Sequence, residues 1–160
     1  MKNSRRRISI KNFLWNDYIA LLAWMFPVVD FFIALFIYLF GFFPALRSGG
    51  EALTFNSLAF FIYMGIVALI VGAIVIYLRF QYINKFFAKG NETSGKIIKK
   101  MASKSGWRIY FTFEAGQSVY MNSAYVSKNK RTKSYKKGDE VTVLYLKRNP
   151  LKAILKDVYR

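Results

Sequence analysis

Cysteine and histidine are both absent from this 160-residue chain, proline occurs three times, and Asp and Glu together supply only eight residues. Without cysteine there is no disulfide scaffold, no thiolate metal site and no cysteine nucleophile. Without histidine, the commonest general base and the commonest zinc ligand are missing. The few acids stand against 25 Lys and Arg, for a net charge of +17. A disordered polycation is excluded, because hydrophobic residues make up 54% of the chain and aromatics 19%. The length allows one ordinary domain or two small units. What has to be located is where the apolar and the basic excess each reside.

They reside in different blocks. Residues 1–16 carry Lys2, Arg5, Arg6, Arg7 and Lys11 and no acid. Residues 17–83 carry only Arg47 and Arg79 against Asp17, Asp30 and Glu51. Residues 84–160 carry 18 bases against 5 acids. Within the middle block, Tyr18 to Leu46 is a run of 29 residues whose only charge is Asp30, and Leu58 to Leu78 is a run of 21 with none. A helix crosses about 30 Å of hydrocarbon with roughly 20 apolar residues. Both runs are long enough. As buried helices of a water-soluble domain they would need more apolar surface around them than the rest of the chain supplies. A cleaved signal peptide has an apolar region of roughly 7–15 residues and a small-residue cleavage site. The first run is longer and ends in Gly41-Phe42-Phe43-Pro44, so it is expected to be retained.

Orientation follows from Lys and Arg near the span ends. Five precede the first span, Arg79, Lys85, Lys89 and Lys96 follow the second, and Arg47 alone lies between, nine against one. The expected fold class is a membrane α+β protein: a two-helix transmembrane hairpin followed by a small five-stranded β-barrel-like or curled-sheet cytoplasmic domain. The expected order is a basic cytoplasmic segment (1–16), transmembrane helix 1 (17–46), an external loop (47–56) holding Ser48-Gly49-Gly50, transmembrane helix 2 with an amphipathic cytoplasmic extension (57–89), a linker (90–94) and a basic β domain (95–160). Both termini are expected in the cytoplasm of a bacterial cell with this inner-membrane protein.

Asp30 is the polar anomaly of the first span, three residues after Pro27. An Asp at a helix centre costs roughly 2.5–3.5 kcal/mol on insertion scales, and large apolar residues return about 0.3–0.6 kcal/mol each. Ile19, Leu21, Leu22, Phe26, Phe31, Phe32, Ile33, Leu35, Phe36 and Ile37 alone outweigh one acid, so the span still inserts. Pro27 frees the carbonyl of Ala23 and favours a local polar pocket. Two roles stand for Asp30: an ion, proton or partner site, as in a small channel or transporter subunit, or a packing residue against another helix. The second is favoured, since no other intramembrane charge is there to receive a proton. In the second span Gly65, Ala68 and Gly72 share one helix face and admit a close neighbour, either the first span or a second copy.

The apolar positions Phe80, Ile83 and Phe87 continue the second helix as a stalk, with Gly90 as its expected cap. After Gly95 the period changes to two: Trp107, Ile109, Phe111 and Phe113 alternate with Arg108, Tyr110, Thr112 and Glu114. Ala115-Gly116 and Lys137-Gly138-Asp139 read as turns, and Asn149-Pro150 as a break before a last strand at 153–155. With a first strand at Lys96–Lys100, five strands fit a small barrel.

Tyr135 to Tyr145, with Gly138-Asp139, Val141, Val143 and Tyr145, then Asn149-Pro150 and Ala153, resembles the bacterial membrane-protein family catalogued as domain of unknown function 3592. Gly95-Lys96-Ile97-Ile98 and Tyr110-Phe111-Thr112-Phe113 are similar to its earlier elements, so the resemblance covers roughly residues 95–158. Many members have Asp-Pro after the Tyr, where this chain has Leu146-Lys147. The resemblance implies a membrane-tethered β domain and brings no activity, catalytic residue or cofactor.

Chemistry is sparse. Asp139 and Glu140 are adjacent and point to opposite faces of a strand. No phosphate-binding glycine loop and no Gly-x-Ser-x-Gly occurs. Ser103-Lys104-Ser105 reads as a loop more readily than as a serine–lysine dyad. Neither catalytic residue, metal nor cofactor is expected. The densest signal is Lys128, Lys130, Arg131, Lys133, Lys136 and Lys137, six bases in ten residues beside Tyr125 and Tyr135. Each base near an anionic leaflet contributes about 1 kcal/mol, so anionic lipid is the first expected partner. Single-stranded nucleic acid, gripped by bases and stacking aromatics, is the second. Docking to an acidic partner protein is the third; for the chain as a whole, a membrane-protein partner or homodimer is also expected.

Overall fold

The computed structural model describes residues 8–44, 52–103 and 106–160. Arg47, the Ser48-Gly49-Gly50 turn, Glu51, the bases Lys2 and Arg5 to Arg7, and Lys104-Ser105 lie outside the described residues. The chain forms two units, one of Leu22–Tyr77 and one of the residues up to Leu21 together with Leu78–Arg160.

The two long apolar runs are helical. α2 spans Tyr18–Phe40 and α3 spans Leu58–Lys89. Both are long and apolar enough to cross a membrane. α2 stops at Phe40, short of the expected residue 46: Gly41 takes φ 79° and turns the chain into β1, Phe42–Phe43, which pairs antiparallel with β2, Leu53–Thr54. A single 3-10 turn, Phe55–Ser57, leads into α3.

Small residues set how closely the helices approach. A Cβ on Gly72 would fall 2.3 Å from the Ala23 carbonyl oxygen, and one on Gly65 would fall 3.0 Å from the Phe31 ring. Ala68, between them, is half-buried, as is Asp30, and Pro27 is buried. The Phe31–Gly65 and Ala23–Gly72 contacts run antiparallel and put Asp30 level with Gly65. Among the described residues, no hydrogen bond or ion pair reaches Asp30.

The second unit is a nearly closed five-stranded antiparallel sheet in the order β5-β4-β3-β6-β7, from β3 (Asn91–Ala102), β4 (Gly106–Ala115), β5 (Ser118–Ser127), β6 (Glu140–Leu146) and β7 (Asn149–Leu155). Curvature comes from β3. Its first half pairs with β6, from Asn91↔Tyr145 to Lys96↔Glu140, and its second half pairs with β4, from Gly95↔Phe113 to Ala102↔Trp107. A bulge between Ile97 and Lys99 bends it where the partners change. The inner face buries Ile97, Ile109, Phe111, Phe113, Val141 and Val143. The alternation read from Trp107 to Glu114 is thus the core face of β4.

Three features differ from the sequence expectation. Residues 91–94, expected as linker, begin β3, because their backbone is laddered to β6 while Asn91 and Ser94 turn polar side chains to water and Glu92 meets Lys156. Asn149-Pro150 opens β7 after a two-residue turn, with Leu146 opposite Asn149, so the proline sits on an edge strand that has no neighbour to receive its missing N–H. Gly90 follows α3 without left-handed backbone; a Cβ there would fall 2.3 Å from the Phe86 carbonyl oxygen, so close approach requires the glycine. The turns at Gly116 and Gly138 do take positive φ, 67° and 96°.

Around the sheet sit α1 (Ile10–Asn16), α4 (Lys130–Ser134) and α5 (Lys156–Tyr159). The stalk end of α3 buries Ile83, Phe86 and Phe87, and Phe80 meets Phe13 of α1 edge to face at 5.6 Å.

Candidate functional site

The segment before the first uncharged run is part of the β unit. Ser9 caps α1 by accepting from the Asn12 N–H, and the Ser9 N–H donates to the Tyr159 carbonyl at 3.0 Å. The Asn16 amide, buried, donates to the Val158 carbonyl at 2.6 Å and accepts from Asn129 Nδ2 at 2.6 Å. Asn12 donates to the Arg160 carbonyl and Ser127 Oγ to the Trp15 carbonyl. N-terminal and C-terminal residues therefore meet at one pole of the sheet.

Asp17 is the centre of this pole and is 0% exposed. It is extended, ends α1 by donating its N–H to the Phe13 carbonyl, and starts α2 by accepting the Ala20 N–H on Oδ1 at 3.1 Å. Its other oxygen, Oδ2, receives Arg79 Nε at 3.0 Å, Arg79 Nη2 at 2.9 Å and the Tyr159 hydroxyl at 2.8 Å. A buried carboxylate needs this number of donors to offset its lost hydration. Burial, reinforced by the Asp17 charge, raises the Tyr159 phenol above its ordinary range, against the opposing pull of Arg79. No local pattern marks these three residues. In the sequence, Asp17 opens the first expected span and Arg79 counts among the bases that flank the second.

The second cluster is the basic stretch. The stretch contains a turn of helix, α4, started by a capping box: Asn129 Oδ1 accepts the Thr132 N–H at 2.9 Å and Thr132 Oγ1 accepts the Asn129 N–H at 3.0 Å. The Asn-x-x-Thr spacing was the missed signal. Thr132 Oγ1 also donates to the buried Ser127 carbonyl at 2.6 Å, which seats the helix on β5. Its other end is held by a lysine outside the cluster. Lys100 Nζ donates to the carbonyls of Thr132 and Lys133 at 2.8 Å each and of Tyr135 at 3.1 Å. That ammonium also lies 4.3 Å from the centre of the Trp107 ring. Desolvation lowers the Lys100 ammonium from its usual value, with Asp139 opposing and Lys133 adding to the shift. Burial and Asp157 raise the Tyr135 phenol, with Arg131 opposing.

With α4 anchored from below, all six bases of the stretch are exposed. Lys128 Nζ stands 5.3 Å from the Trp107 ring centre and Arg131 donates to the Arg160 carbonyl at 2.8 Å. Among the described residues, no Asp or Glu side chain pairs with any of the six. Asp139 accepts the Lys136 N–H at 2.7 Å and its backbone, with that of Gly138, bonds Ile97 at the β3 bulge, so these two are structural turn residues beside the cluster.

The acids gather elsewhere. Glu92 pairs with Lys156 at 2.7 Å, and Asp157 accepts the Thr142 N–H at 2.9 Å. No group of three metal-ligating side chains occurs among the described residues. Ser103 Oγ accepts from the Tyr125 hydroxyl at 3.0 Å, a packing role. Comparison with protein-family profiles, with curated proteins and with solved structures returned no match.

Proposed function

We propose that this chain is a two-span inner-membrane protein of a bacterium, both termini cytoplasmic, that presents its basic β domain to anionic headgroups as a non-enzymatic accessory or scaffold protein. The observation that carries this reading is the exposed set Lys128, Lys130, Arg131, Lys133, Lys136 and Lys137, none paired with an Asp or Glu among the described residues, on and beside a capped and anchored turn of helix. Bases held on a rigid turn lose little entropy on meeting a charged surface. The membrane part is supported by exposure: only 22% and 17% of the most apolar stretches of the two long helices are buried. Core helices of a water-soluble fold are mostly covered. Orientation is supported by the nine-to-one distribution of flanking bases. The resemblance to a membrane-tethered β-domain family agrees with it.

The test is hydrogen exchange on the full chain in lipid nanodiscs, with and without phosphatidylglycerol. Slower exchange across residues 128–139 in the anionic discs is the expected result. Equal exchange in both, with protection only on adding single-stranded DNA, would replace lipid by nucleic acid as the partner.

A further inference from the structure

The sheet stops short of closure, and the gap holds a cavity. No ladder joins β5 to β7; across the gap Asn122 Nδ2 donates to the Leu151 carbonyl at 2.7 Å. Beside this bond lies a cavity of about 260 Å³. Its strand walls carry small side chains, Ala124 and Ala153, and its helical wall carries Ile19, Arg79 and Tyr82. Two bases, Arg79 and Lys152, line it and no acid does. Arg79 spends Nε and Nη2 on Asp17, leaves Nη1 out of that pair, and keeps 26% of its side chain exposed. Lys152 is exposed.

The position of these residues along their helices selects the ligand. Leu58 to Leu78 holds 21 uncharged residues, which at about 1.5 Å each cover roughly the 30 Å of a hydrocarbon core. Arg79 is the next residue, at the level where hydrocarbon gives way to phosphate. Ile19, 47% exposed, is the second residue of the other apolar run. A cavity lined by Lys152 and by the Arg79 Nη1 edge that lies outside the Asp17 pair, with an apolar lip at that depth, matches a phosphate joined to glycerol, with the acyl chains left outside. Its volume lies near the small end of ligand pockets, about 300–1,000 Å³. Arg and Lys both serve as phosphate donors.

We propose that this cavity binds the phosphoglycerol headgroup of one anionic phospholipid, with Arg79 and Lys152 on the phosphate and Ile19 and Tyr82 against the glycerol–acyl junction. The inference rests on the membrane reading above. It is separate from the basic face at α4, none of whose six bases lines the cavity.

The experiment uses the full chain. Membranes are first washed with alkaline carbonate, then solubilised in mild detergent, and the purified protein is mixed with phosphatidylglycerol or phosphatidylcholine and weighed by native mass spectrometry. One phosphatidylglycerol retained per chain, in preference to phosphatidylcholine, is expected. Lys152→Glu changes an exposed side chain and should cut retention by about tenfold, the scale of one charge-assisted hydrogen bond. Ala153→Phe fills the cavity without altering charge and should do the same. Lys147→Gln, an exposed change on the turn between β6 and β7 and outside the cavity lining, should leave retention unchanged. Equal retention of both lipids, unchanged retention in both cavity variants, or displacement by equimolar glycerol 3-phosphate overturns the lipid site while leaving the membrane reading intact. Release by carbonate without detergent overturns both.

Discussion

Arg79 reaches across 62 residues of sequence to Asp17, placing Nε and Nη2 on the one carboxylate oxygen that also receives the Tyr159 hydroxyl. This ties the start of one long helix to the late part of the other and both to the last turn of the chain. Asp17 has no water to fall back on.

Removing the guanidinium strands that carboxylate. Arg79→Gln is expected to lower stability by about 3 kcal/mol, the lower end for breaking a buried pair, because Arg79 itself is partly exposed. Asp17→Asn combined with Arg79→Gln should cost less than Arg79→Gln alone. Thermal unfolding of the full chain in detergent measures both; equal losses would show that the stranded carboxylate is not what the single change costs.

Tyr159 gives the pole a pH dependence. Its folded pKa is raised by burial and by Asp17, with Arg79 opposing, while the unfolded phenol ionises near about 10. Below that pH the contribution to stability is complete. Above it, the unfolded chain gives up its proton first and stability falls with rising pH. Tyr159→Phe should flatten this slope relative to the parent protein and cost about 1.5–3 kcal/mol at neutral pH, the scale of a hydrogen bond to a charge. Unfolding midpoints from pH 8 to 11 decide it.

Lys100 should matter to the basic face without belonging to it. Lys100→Met leaves the carbonyls of Thr132, Lys133 and Tyr135 without their common donor. Amide exchange across α4 should accelerate and stability should drop by roughly 1–3 kcal/mol. If α4 exchanges at its former rate, the capping box alone holds it.

Gly72→Leu tests the helix pair. A side chain there begins 2.3 Å from the Ala23 carbonyl oxygen, which is backbone and cannot swing aside. Separation of α2 and α3 should lower the melting temperature in detergent at a cost of about 1–3 kcal/mol. The same change at the exposed Val71 should be silent.

Much of the architecture follows from one-dimensional pattern. Twenty-one consecutive uncharged residues have few alternatives to a long apolar helix. Alternation from Trp107 to Phe113 names the buried face of a strand before any partner is known. Glycine at 116 and 138 marks the turns, since both take left-handed backbone. These are short-range consequences of helix rise, strand pleat and steric freedom.

Polar segments were harder to read because their fate depends on who supplies the hydrogen bonds. Residues 91–94 resemble a linker until Val141 to Tyr145 arrive to pair with them. The basic stretch resembles an open loop until Lys100, thirty-two residues before Thr132, closes its helix. Asp17, Arg79 and Tyr159 each had an ordinary local explanation, and only folding brought a buried carboxylate and its donors within 3.0 Å. The sequence by itself determined where the chain is apolar, where it is basic and which strand faces are buried, because those are local sums of side-chain character. The tertiary structure decided which charges are consumed internally, at Asp17 and Lys100, and which remain on the surface, the six bases of residues 128–137 among them, because pairing is set by distances that cross the whole chain.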